Sequence, residues 1–335
     1  MNNRIDYLKI VAIVLVIIII LSAGMIILRL WENNNDIFSG TAVSDGVVKY
    51  RGTDYELNSD IESYLLIGLD KYTGANSADS HESGIQADYL MVLVFDNETK
   101  ECTALQINRD TMTKVNMLSI GGTAVVQSYT AQIALSYAYV EDDNAKIRCG
   151  NTKDSVQHLL KGVNVDHYFA ITMDGVITLN DLVGGVEVIV LDDFSGIDDS
   201  LIKGESVTLM GKQALSYVRS RKGLEDSSNL ARMERQKQYV KALYEKLDSR
   251  LKEDETFTLT AFEKMSDHIV YDVSEQKIQK LADKFADYEF LGIRTFEGES
   301  VENNGFMEFH PDEDSVWEIV LDLFYEPIKN HRPRS

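Results

Sequence analysis

Apolar positions along the chain follow three rhythms. The first is one unbroken run, residues 10–28, "IVAIVLVIIIILSAGMIIL", without a charge and bracketed by Lys9 and Arg29. At 1.5 Å of rise per residue it makes roughly 28 Å of helix, about one hydrocarbon core. The apolar part of a cleaved signal peptide is shorter, about 7–15 residues. The pattern therefore predicts an uncleaved transmembrane helix over 10–30, behind a short head at 1–9. Arg4 and Lys9 precede the span, a mild bias toward a cytoplasmic N-terminus and an extracytoplasmic domain. Residues 31–60 are polar and turn-rich, with no sustained period, and are expected to be a tether.

The second rhythm is that of strands. Residues 64–69 (YLLIGL), 88–95 (DYLMVLVF), 101–108 (ECTALQIN), 166–172 and 186–191 are short, mostly apolar runs. "DNET" between the second and third predicts a hairpin. The third rhythm is helical. It marks 131–139, 154–161 closed by Gly162, 173–183 ended by Gly184-Gly185, and 209–218. A long helix is expected over 229–251, with Met233, Val240, Leu243, Tyr244 and Leu247 on one face and Ser227 or Ser228 as cap. Further helices are expected over 274–288 and 311–325, the last with Pro311 in its first turn. Strands interleaved with helices predict an α/β sandwich over 61–327, followed by a tail at 328–335.

This order of elements has a geometric consequence. The hairpin makes 88–95 and 101–108 antiparallel, so the start of one and the end of the other share a sheet edge. If 64–69 also runs antiparallel to 88–95, Asp70, Asp88 and Arg109 converge there.

Charge sharpens the picture. The chain carries 54 acidic and 33 basic side chains, a formal net charge of −21. Nucleic acid, whose affinity rests on Lys and Arg neutralising phosphate, is excluded as a partner class. Against that background "YVRSRKGLEDSSNLARMERQ" gathers Arg219, Arg221, Arg232 and Arg235. Arg232 and Gln236 are four apart and share a helix face at the amino-terminal turns, where the helix dipole also favours an anion. Guanidinium forks suit the oxygens of a diphosphate. The plainer reading pairs these arginines with Glu225, Asp226 and Glu234 on a solvated surface. Asp70 and Asp88 suit Mg²⁺, which takes one or two carboxylates plus phosphate oxygens, or are turn residues at strand ends. P-loop, dinucleotide-binding and nucleophile-elbow motifs do not occur, and the histidines lack zinc spacing. Cys102 and Cys149, the two cysteines, form either a disulfide or two buried thiols.

Three segments in this order resemble the LytR-CpsA-Psr family: "LLIGLD" with "QADYLMVLVFDNETKECTALQINRDT", then "TKDSVQHLLKGVNVDHYFAITMDGVITLNDLVGGVEV", then "LMGKQALSYVRSRK" with "LARMERQKQYVKAL". The resemblance implies an α/β/α sandwich with a central mixed sheet behind one transmembrane helix. It implies a phosphotransferase of the bacterial envelope, of Gram-positive type. Such an enzyme moves a teichoic acid-like or capsular glycopolymer from a polyprenyl diphosphate carrier in the membrane to peptidoglycan. It also implies site residues: Asp70 and Asp88 for Mg²⁺, and Arg109, Arg219, Arg221, Arg232 and Gln236 for the diphosphate. Arg235, one step from Gln236 in the same helix turns, is assigned to the diphosphate with them, and Asp88 or Asp110 is expected to take the acceptor's proton. Gln86 and Asn108 depart from the family pattern, which has arginine and proline there. Two alternatives remain with the same residues: a polyprenyl diphosphate hydrolase, and a non-catalytic polyprenyl-phosphate-binding regulator.

Overall fold

The computed structural model describes residues 41–42, 47–70, 85–122, 124–140, 143–220, 223–226, 228–254, 257–273 and 288–328. The expected head and anchor, and residues 274–287 of an expected helix, lie outside the described residues. Among the described residues no helix is long and apolar enough to cross a membrane. The strands, in chain order, are β1 (Thr41–Ala42), β2 (Val47–Tyr50), β3 (Thr53–Leu57), β4 (Ile61–Leu69), β5 (Ala87–Asp96), β6 (Glu101–Ile107), β7 (Met112–Leu118), β8 (Val125–Gln132), β9 (His167–Thr172), β10 (Val186–Ile189), β11 (Ser206–Leu209), β12 (Ile269–Tyr271), β13 (Glu289–Thr295), β14 (Gly298–Asn303), β15 (Phe306–Pro311) and β16 (Tyr325–Pro327). The helices are α1 (Ala145–Leu159), α2 (Met173–Leu182), α3 (Gly211–Arg219), α4 (Asn229–Glu253), α5 (Phe257–Met265) and α6 (Glu313–Phe324).

The central sheet has the order β12-β9-β4-β5-β6-β13. It is mixed: β4 pairs parallel with β9 and antiparallel with β5, while β6 pairs antiparallel with β5 and parallel with β13. Alternation along the strands divides the core in two. Leu65, Ile67, Leu90, Val92 and Leu105 face one layer, where Val156 of α1 and Val320 of α6 cover them. Tyr64, Leu66, Met91, Leu93 and Phe95 face the other, against which Val240 of α4 packs. A further cluster joins α2, α3, α4 and α5 to the β10–β11 hairpin around Leu179, Tyr217 and Leu243. Cys102 lies in the second layer and Cys149 in the first, on opposite sides of the sheet, and both are free thiols. Burial pushes Cys149 up to about 12, so it stays protonated.

Several boundaries differ from the sequence reading. The folded part begins before residue 61: β2 and β3 pair within the expected tether, and β16 adds to β3. The expected tail still docks at its first residue, where Ile328 donates to the Asp54 carbonyl at 2.8 Å. Residues 131–139 are not an α-helix. Gln132 ends β8, and a 3₁₀ turn follows over Ile133–Ser136. There the N–H groups of Ile133 and Ala134 bond the carbonyls of Thr111 and Arg109 (2.8 and 3.1 Å), not a helix of their own. The helix expected at 154–161 starts earlier, at Ala145, behind an Asn144 cap. Its buried face carries Asn151, Thr152 and Ser155, which hide the stripe from a hydropathy pattern. Asn151 compensates its burial by donating to the carbonyls of Asn116 (2.8 Å) and Ser136 (2.6 Å). Pro311 ends β15, and Asp312 caps α6 instead.

Candidate active site

Three strand ends and one helix end build the site. The register pairs Leu69 with Ala87 and Leu90 with Ile107, so the residues just beyond β4 and β6 meet the start of β5. Asp70 follows β4 directly. One of its carboxylate oxygens accepts the N–H of Gln86 at 2.5 Å, while its own N–H donates to the Gln86 carbonyl at 3.0 Å. Arg109 follows β6 and is 7% exposed. It donates from Nη1 to Asp88 and from Nη2 to the Gln86 side-chain oxygen, and its Nε lies 3.5 Å from Asp110. The expected convergence of Asp70, Asp88 and Arg109 is therefore present. Asp110 is buried behind Arg109, where Gln132 Nε2 donates to it at 3.2 Å.

The helix end comes from α4. Ser228 caps it by accepting from the Ala231 N–H at 3.1 Å. This fixes the first turn and aims Arg232 back at the sheet, with Nη1 3.5 Å from the second oxygen of Asp88. One carboxylate thus stands between two buried guanidinium groups. Arg219, the last residue of α3, lines the same cleft as Asp88, Arg232 and Gln236. Arg219 has no hydrogen bond or ion pair among the described residues. Arg221 lies outside the described residues.

Arg235 does not join the site. It is fully buried on another side of α4. Its Nε donates to the Tyr217 carbonyl at 3.0 Å, and its two terminal nitrogens go to Asp192 and to the Ser220 carbonyl. All three nitrogens therefore hold protein acceptors and tie α4 to α3 and to the segment after β10. Sequence reasoning assigned Arg235 to the diphosphate because it is adjacent to Gln236. Residues one apart on a helix, however, point about 100° apart.

The cleft opens onto an apolar cavity of about 160 Å³ between the sheet and α4. The two spaces share Gly68, Tyr89, Ile171, Val176, Val218 and Gln236 in their walls. Beyond these the cavity is walled by side chains such as Leu66, Phe169 and Val240, with almost no polar surface. Gly68 lets Tyr89 pack close across the strands in this wall: a Cβ there would sit 2.7 Å from the Tyr89 Cβ. Burial raises the Tyr89 hydroxyl well above its ordinary value, so no charge forms in that wall. Gln236 stands where apolar wall meets charged cleft and is pinned by donating to the Val218 carbonyl at 3.2 Å.

Among the described residues no group of three or more His, Cys, Asp or Glu is placed to hold a metal. Asp70 and Asp88, at neighbouring strand ends, are the two carboxylates that would hold Mg²⁺; Asp88 lines the cleft with both oxygens facing arginines. Two carboxylates suit Mg²⁺, which fills its other positions with water and phosphate oxygens.

The chain and its fold have known relatives. The LytR_cpsA_psr family model matches residues 33–323. The polyisoprenyl-teichoic acid–peptidoglycan teichoic acid transferase TagU of Bacillus licheniformis is 27% identical over 235 residues, which are 70% of this chain and 68% of that protein. TagU of Enterococcus faecalis is 28% identical over 279 residues, 82% of this chain and 80% of its own. The crystal structure of B. subtilis TagV aligns with a TM-score of 0.56 over 80% of this chain and 97% of that one, at 22% identity, a likeness of fold. The chain belongs to the LytR-CpsA-Psr family.

Proposed function

We propose that this protein transfers a glycopolymer from a polyprenyl diphosphate carrier to peptidoglycan, with Mg²⁺, at the outer face of a bacterial membrane. The observation that carries the reading is the Asp88 carboxylate held between Arg109 and Arg232 where an apolar cavity meets a charged cleft. A prenyl tail suits the cavity and a diphosphate suits the arginines. The relatives named above are teichoic acid transferases to peptidoglycan, which supports the same class of donor and acceptor.

In this reading an acceptor hydroxyl attacks the phosphorus that bears the glycopolymer. A phosphorus–oxygen bond forms to the acceptor, and the bond to polyprenyl phosphate breaks. Negative charge builds on the leaving phosphate, where Arg109, Arg219 and Arg232 offset it. Of the two carboxylates considered for the hydroxyl's proton, Asp88 lines the cleft while Asp110 is buried behind Arg109, which favours Asp88. Arg109 and Arg232 are already paired with the carboxylates of Asp88 and Asp110. Mg²⁺ at Asp70 and Asp88 would supply further positive charge for a diphosphate.

The test uses full-length protein in detergent with labelled lipid-linked glycan, Mg²⁺ and peptidoglycan. Label bound to peptidoglycan is the expected result. Release of free sugar phosphate would establish hydrolysis instead, and retained lipid without turnover would establish a binder.

A further inference from the structure

Two buried amides close a circuit around the charged cleft. Asn108 follows β6, and Asn229 is the first residue of α4; they are 5% and 7% exposed and 121 positions apart. Asn229 Nδ2 donates to Asn108 Oδ1 at 2.5 Å. The same Asn108 oxygen accepts the Asp110 N–H at 2.9 Å, and Asn229 Oδ1 accepts from Arg232 Nη2. Backbone N–H and guanidinium groups only donate, so each amide oxygen is assigned to its donor and neither amide can be flipped without losing a bond. The circuit runs on from Arg232 through Asp88 to Arg109, which is joined to Asn108 by a peptide bond.

Each arginine beside Asp88 thus has a second, uncharged anchor. Arg109 is held by the Gln86 oxygen and Arg232 by the Asn229 oxygen. A carboxylate that must turn toward a cation or a proton would otherwise release both guanidinium groups as it moved. Neutral amides hold them without adding negative charge that would repel a phosphate. They also set the distance between the sheet edge and α4, so the two forks are in place before the ligand arrives.

We propose that Asn108 and Asn229 are positioning residues, which keep Arg232 and the Arg109–Asp110 turn aligned for a diphosphate while Asp88 disengages. The inference rests on the reading of the cleft as a diphosphate site. Its test is calorimetric titration of the full-length protein in detergent with inorganic pyrophosphate, beside transfer kinetics. Asn229→Ala and Asn108→Ala are each expected to weaken pyrophosphate about ten-fold and to lower kcat. The double variant is expected to be no worse than the poorer single one, because the two act as one link. Variants with a lower thermal midpoint but unchanged affinity and kcat in the folded fraction would overturn the proposal and leave the amides a purely structural role. Additive losses in the double variant would overturn the link between them. Arg232→Ala separates the two levels. If it loses affinity while the amide variants do not, only the amide role fails. If Arg232→Ala itself binds as tightly as wild type, the diphosphate reading falls and the amide role with it.

Discussion

Arg232 and Arg235 stand three residues apart on one helix, both buried, both facing a carboxylate, yet they do different work. Arg235 meets Asp192 and two carbonyls in a packed corner among α3, α4 and the segment after β10, with Phe194 5.6 Å away under its guanidinium group. The protein leaves it nothing more to bind. Arg232 meets Asp88 and Asn229 at the wall of a cleft. Its carboxylate is shared with Arg109, and a third guanidinium group, Arg219, borders the same space. A buried arginine is therefore no sign of function by itself. What separates the two is the space beside the ion pair and the number of cations converging on one carboxylate.

Substitutions should break this comparison in opposite ways. The largest effect is expected from Arg235→Ala. It strands Asp192 and two carbonyls, and removing one partner of a buried pair costs about 3–5 kcal/mol. Denaturant unfolding should register that loss, while pyrophosphate affinity of the folded fraction stays at the wild-type value. Arg232→Ala should do the reverse. Removing one charge-stabilising donor lowers transfer about 10²-fold, and the unfolding free energy should fall by less than in Arg235→Ala, because Asp88 keeps Arg109 as its partner. If Arg235→Ala abolished anion binding at full stability, the division between the two residues would be wrong. The smallest effect is expected from Ser228→Ala, which removes the cap of the helix carrying both arginines. A loss of about 1 kcal/mol in unfolding is expected, together with a weaker grip on pyrophosphate, since the turn bearing Arg232 frays first.

The other end of the central sheet offers a control by pH. Burial would raise Asp272, but hydrogen bonds from His167 and the Tyr168 N–H, with Lys153 nearby, hold it below the usual carboxylate range. A depressed carboxylate stabilises the fold above its unfolded value, and that contribution is lost as pH falls through the folded value. Acid unfolding of Asp272→Asn should lack this component, and anion binding at the far end should be unchanged at neutral pH.

The site was legible in the sequence to the extent that short-range rules govern it. The hairpin at residues 96–101 forces β5 and β6 antiparallel, and Asp88 and Arg109 meet as a result. Helical spacing placed Arg232 and Gln236 together, and both border the cleft. Arg235, three residues from Arg232, satisfies the same rule, and only the acceptors that folding brings to it set it apart. The β7–β8 hairpin escaped because β8 is exposed along most of its length and shows no burial alternation. Helix α1 was read short because polar residues fill its buried face. Asn108 and Asn229 could not be read at all, for an amide's role depends on what folding brings against it. Gln86 was visible as a departure from the family pattern, but its bond to Arg109 was not.

The central claim is that one ligand occupies both the apolar cavity and the arginine cleft. It is tested most directly by titrating the full-length protein, in detergent with Mg²⁺, with farnesyl diphosphate against pyrophosphate and farnesol. The account predicts that farnesyl diphosphate binds at least about ten-fold tighter than either fragment. Val240→Phe, which fills the cavity, should erase only the contribution of the tail, and Arg232→Ala only that of the diphosphate. Equal affinity for farnesyl diphosphate and pyrophosphate, untouched by Val240→Phe, would contradict it.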